Sequence, residues 1–268
     1  MSAKVKTQQS RTQVEPRDSE SLQSLIDVVL PKVLIEFGSW EGRSALAFVR
    51  RAKENSLSTK VICVDTWLGS PEHWRNSAPD SEWSFSHLNV VDGEPRVLDT
   101  FRQAIKDHHA EESISIVRAT TSLASIYLSR MGERADLVYV DADHSYGAVL
   151  QDLHLAQRIL GDDGVVAGDD WAWSSVRLAV SRYAGNRHTI WISSDGVTYA
   201  LLRKNQSNLM SLFGDAGWEK VDRNRVFLEE APQLARKYMW KPLSRMVDKM
   251  YIAVGLPRLS QLVREAAK

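Results

Sequence analysis

A chain of 268 residues with 43% hydrophobic and 25% charged side chains can bury one substantial core with an appendage, so one main domain is expected. Its 34 basic and 34 acidic residues cancel, which leaves no global field to draw nucleic acid and confines any basic patch to a local surface. The single cysteine, Cys63, excludes an intramolecular disulfide and a cysteine-based zinc site, and no apolar run approaches the length of a membrane span. With a polar N-terminus that lacks a signal-peptide core, the expected location is cytoplasmic.

Residues 1–20 are polar and aperiodic, and are expected to form a disordered tail, because they hold too little apolar surface to offset the entropy of ordering. A Ser start and apolar spacing predict a short helix over 21–29, leading into Pro31. An apolar strand then ends in Glu36, and Gly38 and Gly42 punctuate a turn into a helix over 44–53, the arrangement of a nucleotide site in doubly wound folds. Trp40 stands where a dinucleotide fingerprint has its second glycine, which counts against an NAD-linked oxidoreductase. The next apolar run, 60–65, ends in Asp65, roughly 20 residues past the glycine turn, the spacing at which a carboxylate reaches a ribose diol.

After 66–74, a polar, aromatic-rich loop runs to about Asp92 (Trp83, Phe85, His87) and is expected to act as a lid or substrate wall, while His73 and His87 themselves show no ligand spacing and are expected in surface or packing roles. A helix over 96–109, a strand over 114–117 and a helix over 121–130 follow, the last capped by Thr120 or Thr121. Two β-branched runs then end abruptly in acids, one at Asp141-Ala-Asp143-His144 and the other at Gly168-Asp169-Asp170. Val149, Leu153, Ala156 and Leu160 between them recur at helical spacing, so the unit reads β-α-β and gathers its carboxylates at the carboxyl edge of a parallel sheet. Clustered carboxylates repel, and a bound cation is the usual remedy.

A helix over 176–183 precedes two strands, 189–192 and 197–202, joined through Asp195-Gly196 as a hairpin. From 205 the pattern is mostly helical, interrupted by Gly and Pro; this part, 205–268, is expected to form an appended extension to a domain over 21–204. Within it Arg236, Lys237, Lys241, Arg245 and Lys249 run beside Tyr238, Trp240, Met246, Met250 and Tyr251, which suits an amphipathic helix on a subunit neighbour or on the chain's own core, with a membrane surface or an acidic partner as the alternative. A homo-oligomer built through this region is the corresponding expectation.

Glu36-Phe-Gly38-x-x-x-Gly42-x-Ser44, Asp65 and the closing hairpin together resemble a class I S-adenosylmethionine (SAM)-dependent methyltransferase. The pair Asp141-Ala-Asp143-His144-Ser-Tyr146 and Gly168-Asp169-Asp170 is similar, more narrowly, to the metal-dependent macrocin O-methyltransferase-like and cephalosporin hydroxylase-like group. The resemblance covers roughly 33–204. It implies an α/β fold, a Rossmann-like doubly wound sheet of seven strands whose last is antiparallel. It implies metal ligands at Asp141, Asp169 and Asp170, and a general base at Asp143 with His144 beside it. Its cofactor contacts fall on Glu36, Gly38, Ser39, Gly42, Ser44, Asp65, Thr66, Trp67, Thr120, Thr121 and Asp141. Many relatives carry an acid after the third strand to meet the adenine; this chain reads Arg118-Ala-Thr120-Thr121 there, so a Thr hydroxyl or backbone amide is the expected substitute.

An all-carboxylate set is a hard oxygen site suited to magnesium, calcium or manganese, with magnesium the first expectation. Such an ion lowers the pKa of an acceptor hydroxyl while Asp143 or His144 removes the proton. The function expected is SAM-dependent O-methylation of a small polar acceptor such as a sugar or glycosylated natural product. The alternative is a methyltransferase-like domain that binds a ligand or partner without catalysis.

Overall fold

The structure, a computed structural model, describes residues 13–77, 84–226 and 229–230. Strands β1 (Val33–Phe37), β2 (Lys60–Asp65), β3 (Ile114–Arg118), β4 (Ala135–Val140) and β5 (Leu160–Gly168) pair in parallel in the order β3-β2-β1-β4-β5. Their apolar runs are buried on both faces: Leu34, Ile35, Val61, Val64, Leu137 and Val138 have no exposed surface. Parallel strands of this kind need helices on each side. One face carries α1 (Glu20–Val29), α2 (Arg43–Glu54) and α4 (Val97–Asp107); the other carries α5 (Thr121–Arg130), α6 (Tyr146–Ile159) and α7 (Ser174–Ala184).

Beyond β5 the sheet turns antiparallel. β7 (Tyr199–Arg203) lies between β5 and β6 (His188–Ile192) and runs against both, the hairpin that Asp195-Gly196 predicts. The doubly wound α/β fold expected from the sequence is therefore present, with one strand more than the seven expected: β8 (Glu219–Val221) adds antiparallel to β6, giving eight strands among the described residues.

That strand moves the boundary expected at 205. Helix α8 (Ser207–Asp215) and the turn after it bury Phe213 and Trp218, whose rings meet edge to face at 5.0 Å, against the same core as α1 and α2. Two buried aromatic rings and a ladder to β6 tie the start of the expected extension into the sheet domain. Residues 231–268, with the basic aromatic helix and the oligomer contact expected of them, lie outside the described residues.

The expected tail also needs correction over its described part. Residues 13–19 run extended across the molecule: Val14 packs on the core and its carbonyl meets Nε2 of His108 at 2.8 Å, while the Arg17 N–H donates to the Arg43 carbonyl at 2.8 Å. Anchors to distant parts of the chain hold the segment in place, and no local periodicity records them. In the long loop, α3 (Pro71–Arg75) and a 3-10 turn (Phe85–Leu88) form around residues 78–83, which lie outside the described residues and include Trp83.

The connection from β1 leads to β2 on one side, whereas β4 lies on the other. The crevice between β1 and β4, at the strands' carboxyl ends, is the switch point where such sheets bind ligands.

Candidate active site

The turn after β1 is built by close approach. Gly38, at φ +87°, donates its N–H to the Val64 carbonyl at 2.9 Å, and a Cβ there would stand 2.0 Å from the Asp141 carbonyl oxygen. Only glycine lets the β1 and β4 loops interlock in this way. Gly42 caps α2, and a side chain on it would strike the Phe101 ring. Glu36 is fully buried beneath the turn and accepts the Ser44 hydroxyl at 2.5 Å. Burial pushes its carboxyl up to about 7, against hydrogen bonds from Ser39, Ser44 and Cys63. Ser39 is buried beside it and reaches the cleft.

Asp65 is held by two backbone amides: Trp40 N–H donates to Oδ2 at 2.9 Å and Trp67 N–H to Oδ1 at 2.7 Å. Both donors sit in the left-handed region, at φ 44° and 55°, so the two loops curl toward the carboxylate. Each oxygen keeps a lone pair for a further donor. Thr66 lines the cleft, but Trp67 does not: its ring is 1% exposed, stacks on Phe101 at 5.3 Å and donates its indole N–H to the Trp40 carbonyl. It is a core residue that fixes the Trp40 loop. His73 and His87, expected in surface or packing roles, line the cleft, and His73 stacks on Trp40 at 4.3 Å.

Thr120 caps α5, its hydroxyl accepting the Leu123 N–H at 3.4 Å. Thr121 donates to Asp152 Oδ1 at 2.7 Å. Asp152, which sequence reasoning missed, belongs to α6 and is 4% exposed; burial lifts its carboxyl to about 6, against the Thr121 hydrogen bond. A signal existed. Asp152 falls on the same helical stripe as Val149, Leu153 and Ala156, where an acid is out of place unless it is partnered.

The carboxylates at the sheet edge divide into two groups. One ligand atom from each of Asp141, His144 and Asp170 lies within 4.8 Å of the others, and His144 Nε2 stands 2.6 Å from Asp170 Oδ2 and 3.5 Å from Asp141 Oδ1. Asp169, expected in this group, instead forms an ion pair with Arg17. The cause is local: Asp169 still extends the β4 ladder through its N–H to Val140, whereas Asp170 turns at φ 59° and faces His144. Asp143 is exposed, and its Oδ1 accepts the Ser145 N–H at 2.7 Å at the start of α6.

Electrostatics follow this arrangement. Burial pushes the Asp141 carboxyl up to about 7, with Asp169 and Asp170 adding to the rise and the His144 hydrogen bond opposing it. Burial works against charge on His144, but its hydrogen bonds to Asp141 and Asp170 outweigh this and hold it at about 10. The Asp169 carboxyl is raised by burial despite Arg17. As it stands, the edge neutralises its acids with two internal cations, Arg17 and the imidazolium of His144.

These groups line one continuous cleft of about 890 Å³, from Arg17, Asp169, Asp170 and Asp141 past Gly38 to Asp65, Thr121 and Asp152. The volume suits a cofactor-sized ligand. Among the described residues no helix is long and apolar enough to cross a membrane.

Comparison with known proteins agrees with this geometry. A family model described as a methyltransferase domain matches residues 35–171, just over half of the chain. The calicheamicin methyltransferase CalS11 superposes with a TM-score of 0.52 at 20% identity, covering 69% of this chain and 77% of its own. A Staphylococcus aureus protein described as a caffeoyl-CoA O-methyltransferase superposes with a TM-score of 0.51 at 12% identity, covering 71% and 86%. At these identities the likeness is one of fold. No curated protein sequence matches the chain. With the matched segment spanning the glycine turn, the ribose-type acid and both carboxylate-bearing strand ends, the chain belongs to the methyltransferase-domain family and has the class I SAM-dependent methyltransferase fold.

Proposed function

We propose that the protein is a SAM-dependent O-methyltransferase acting on a hydroxyl of a small polar acceptor. The observation that carries this reading is the continuity of one cleft between a ribose-type carboxylate, Asp65, and the cluster of Asp141, His144 and Asp170. A nucleoside anchored at Asp65 has its sulfonium arm directed along Gly38, toward the cluster. CalS11 is described as a TDP-rhamnose 3'-O-methyltransferase, and a sugar hydroxyl is one acceptor of the class proposed.

Asp141 is the proton acceptor of this reading, with the His144 imidazolium beside it. A carboxylate whose pKa lies near 7 can take a hydroxyl proton as the methyl group is transferred, while Asp170 holds the His144 imidazolium in place beside it. Asp143, committed to Ser145 and exposed, supports the base role less well. The cleft's main contribution is positioning, since methyl transfer is a displacement that depends on alignment.

The donor chemistry also fits a divalent cation, which we propose binds at Asp141, His144 and Asp170. When bound, such an ion supplies a Lewis acid that lowers the pKa of the acceptor hydroxyl. An imidazole among the ligands moves the preference from magnesium toward manganese, because nitrogen donors suit the transition metals better. The internal neutralisation by Arg17 and His144 favours a second reading, methyl transfer with no ion, in which these two residues serve as the site's cations. Methyl transfer from labelled SAM to a panel of hydroxylated metabolites, with and without chelator, tests both. Loss of turnover in chelator with recovery on manganese supports the cation; full turnover in chelator supports the second reading; no transfer to any acceptor, together with no SAM binding, refutes the function.

A further inference from the structure

Between Asp65 and the second turn of α6 the cleft wall is continuous. The Ala119 N–H donates to the Asp65 carbonyl at 3.0 Å, and two residues on, Thr121 donates its hydroxyl to Asp152. A purine attached to a ribose at Asp65, and pointing away from the carboxylate cluster, is therefore bounded by Ala119, Thr121 and Asp152, all of which line the cleft. Along this wall Arg118-Ala119-Thr120-Thr121 supplies no acid. Asp152 is the carboxylate that α6 contributes to this wall, with Asp143 near enough to raise it further; its Oδ1 takes the Thr121 hydrogen bond, and its Oδ2 has no hydrogen-bond donor among the described residues. Gln151, also on this wall, is exposed and spends its amide N–H on Ser122 at 2.8 Å.

We propose that Asp152, reaching in from α6, recognises the adenine of the cofactor by accepting a hydrogen bond from its exocyclic amino group through Oδ2. This inference rests on the reading of the cleft as a SAM site, and it makes Asp152 the residue that distinguishes an adenine from a 6-oxopurine. A carboxylate and a 6-oxo group are both acceptors and repel, so a site built to accept from an amino group rejects its oxo analogue strongly. The Thr121 hydrogen bond fixes the carboxylate's rotation, so that Oδ2 is the oxygen left to face the base.

The test is calorimetric titration of the full chain at pH 8, above the point near 6 at which Asp152 ionises, with S-adenosylhomocysteine, its inosine counterpart and its N6,N6-dimethyl derivative. The parent is expected to bind the adenine form at least tenfold more tightly than either analogue. Asp152→Asn keeps the Oδ1 acceptor for Thr121 but presents an amide N–H in place of Oδ2, and is expected to erase or reverse the preference over the inosine form. An unchanged ratio in Asp152→Asn, or undiminished binding of the dimethyl derivative by the parent, overturns the assignment while leaving the SAM site intact. Failure of the parent to bind any of the three overturns the reading of the cleft itself. The dimethyl arm uses only the parent, so the assignment can still be overturned if the variant does not fold.

Discussion

Arg17 and Asp169, 152 residues apart in the chain, form an ion pair at the carboxyl edge of the sheet, and through it the N-terminal segment is fastened across the mouth of the cleft. Asp169 is 7% exposed and Arg17 is 32% exposed, so one partner is buried and the other half in water. Removing Arg17 leaves an acid in an already acidic pocket. With the exposure of Arg17 taken into account, Arg17→Ala is expected to destabilise the protein by about 2 kcal/mol, below the cost of breaking a fully buried pair. Manganese is expected to raise the melting temperature of this variant more than that of the parent, because the ion relieves the repulsion that Arg17 had offset. Equal increments in scanning calorimetry would count against Arg17 as the site's internal cation.

The separation of Asp169 from Asp170 gives a second prediction. If the cation is held by Asp141, His144 and Asp170, Asp170→Asn loses manganese binding outright, whereas Asp169→Asn keeps most of it. Electron paramagnetic resonance of free against bound manganese reads the difference directly. Equal loss in both variants would restore the all-carboxylate ligand set expected from sequence.

Glu36 predicts a pH dependence. Burial holds its carboxyl near 7, so between about 4.5 and 7 the folded protein keeps a proton that the unfolded chain releases. Stability therefore falls as pH rises through that window and is level above it, a loss on the order of 3 kcal/mol from this group. Asp141 and Asp152, also raised by burial, add slope of the same sign. Glu36→Gln retains an acceptor for Ser44 and is expected to lessen the slope by about one proton, measured as melting temperature against pH from 4.5 to 8. Parallel curves for parent and variant would contradict an uncharged Glu36.

Gly38 is the most demanding backbone position in the site. A methyl group there meets the Asp141 carbonyl at 2.0 Å in a left-handed conformation, so overpacking and backbone strain add. Gly38→Ala is expected to cost about 3 kcal/mol or more in urea denaturation, and to shift the β4 loop that carries Asp141 and His144. A loss under about 1 kcal/mol would show that the two loops are not interlocked.

Much of this was legible in the sequence, for physical reasons. Buried parallel strands are continuous apolar runs, so β1, β2 and β4 stand out, and an acid or glycine at the end of each marks the edge where ligands bind. What the sequence concealed depends on contacts between distant residues. Nothing near Arg17 distinguishes it from its polar neighbours; only the fold brings it to Asp169. The resemblance made Trp67 a cofactor contact, yet it turns inward onto Phe101. Asp169 and Asp170 looked equivalent until a single left-handed residue sent them to different partners. β8 is three residues long with two of them exposed, too short to show a period.

Binding of S-adenosylhomocysteine to the parent and to Asp65→Ala tests the central claim most directly, because that claim requires one cleft to hold the nucleoside at Asp65 with its sulfur arm toward Asp141. By calorimetry the parent is expected to bind one equivalent. Asp65→Ala is expected to bind at least tenfold more weakly, the loss of about 1.5–3 kcal/mol typical of hydrogen bonds to a charged acceptor. Undiminished binding by Asp65→Ala, or binding of NAD but not of S-adenosylhomocysteine by the parent, would contradict the account.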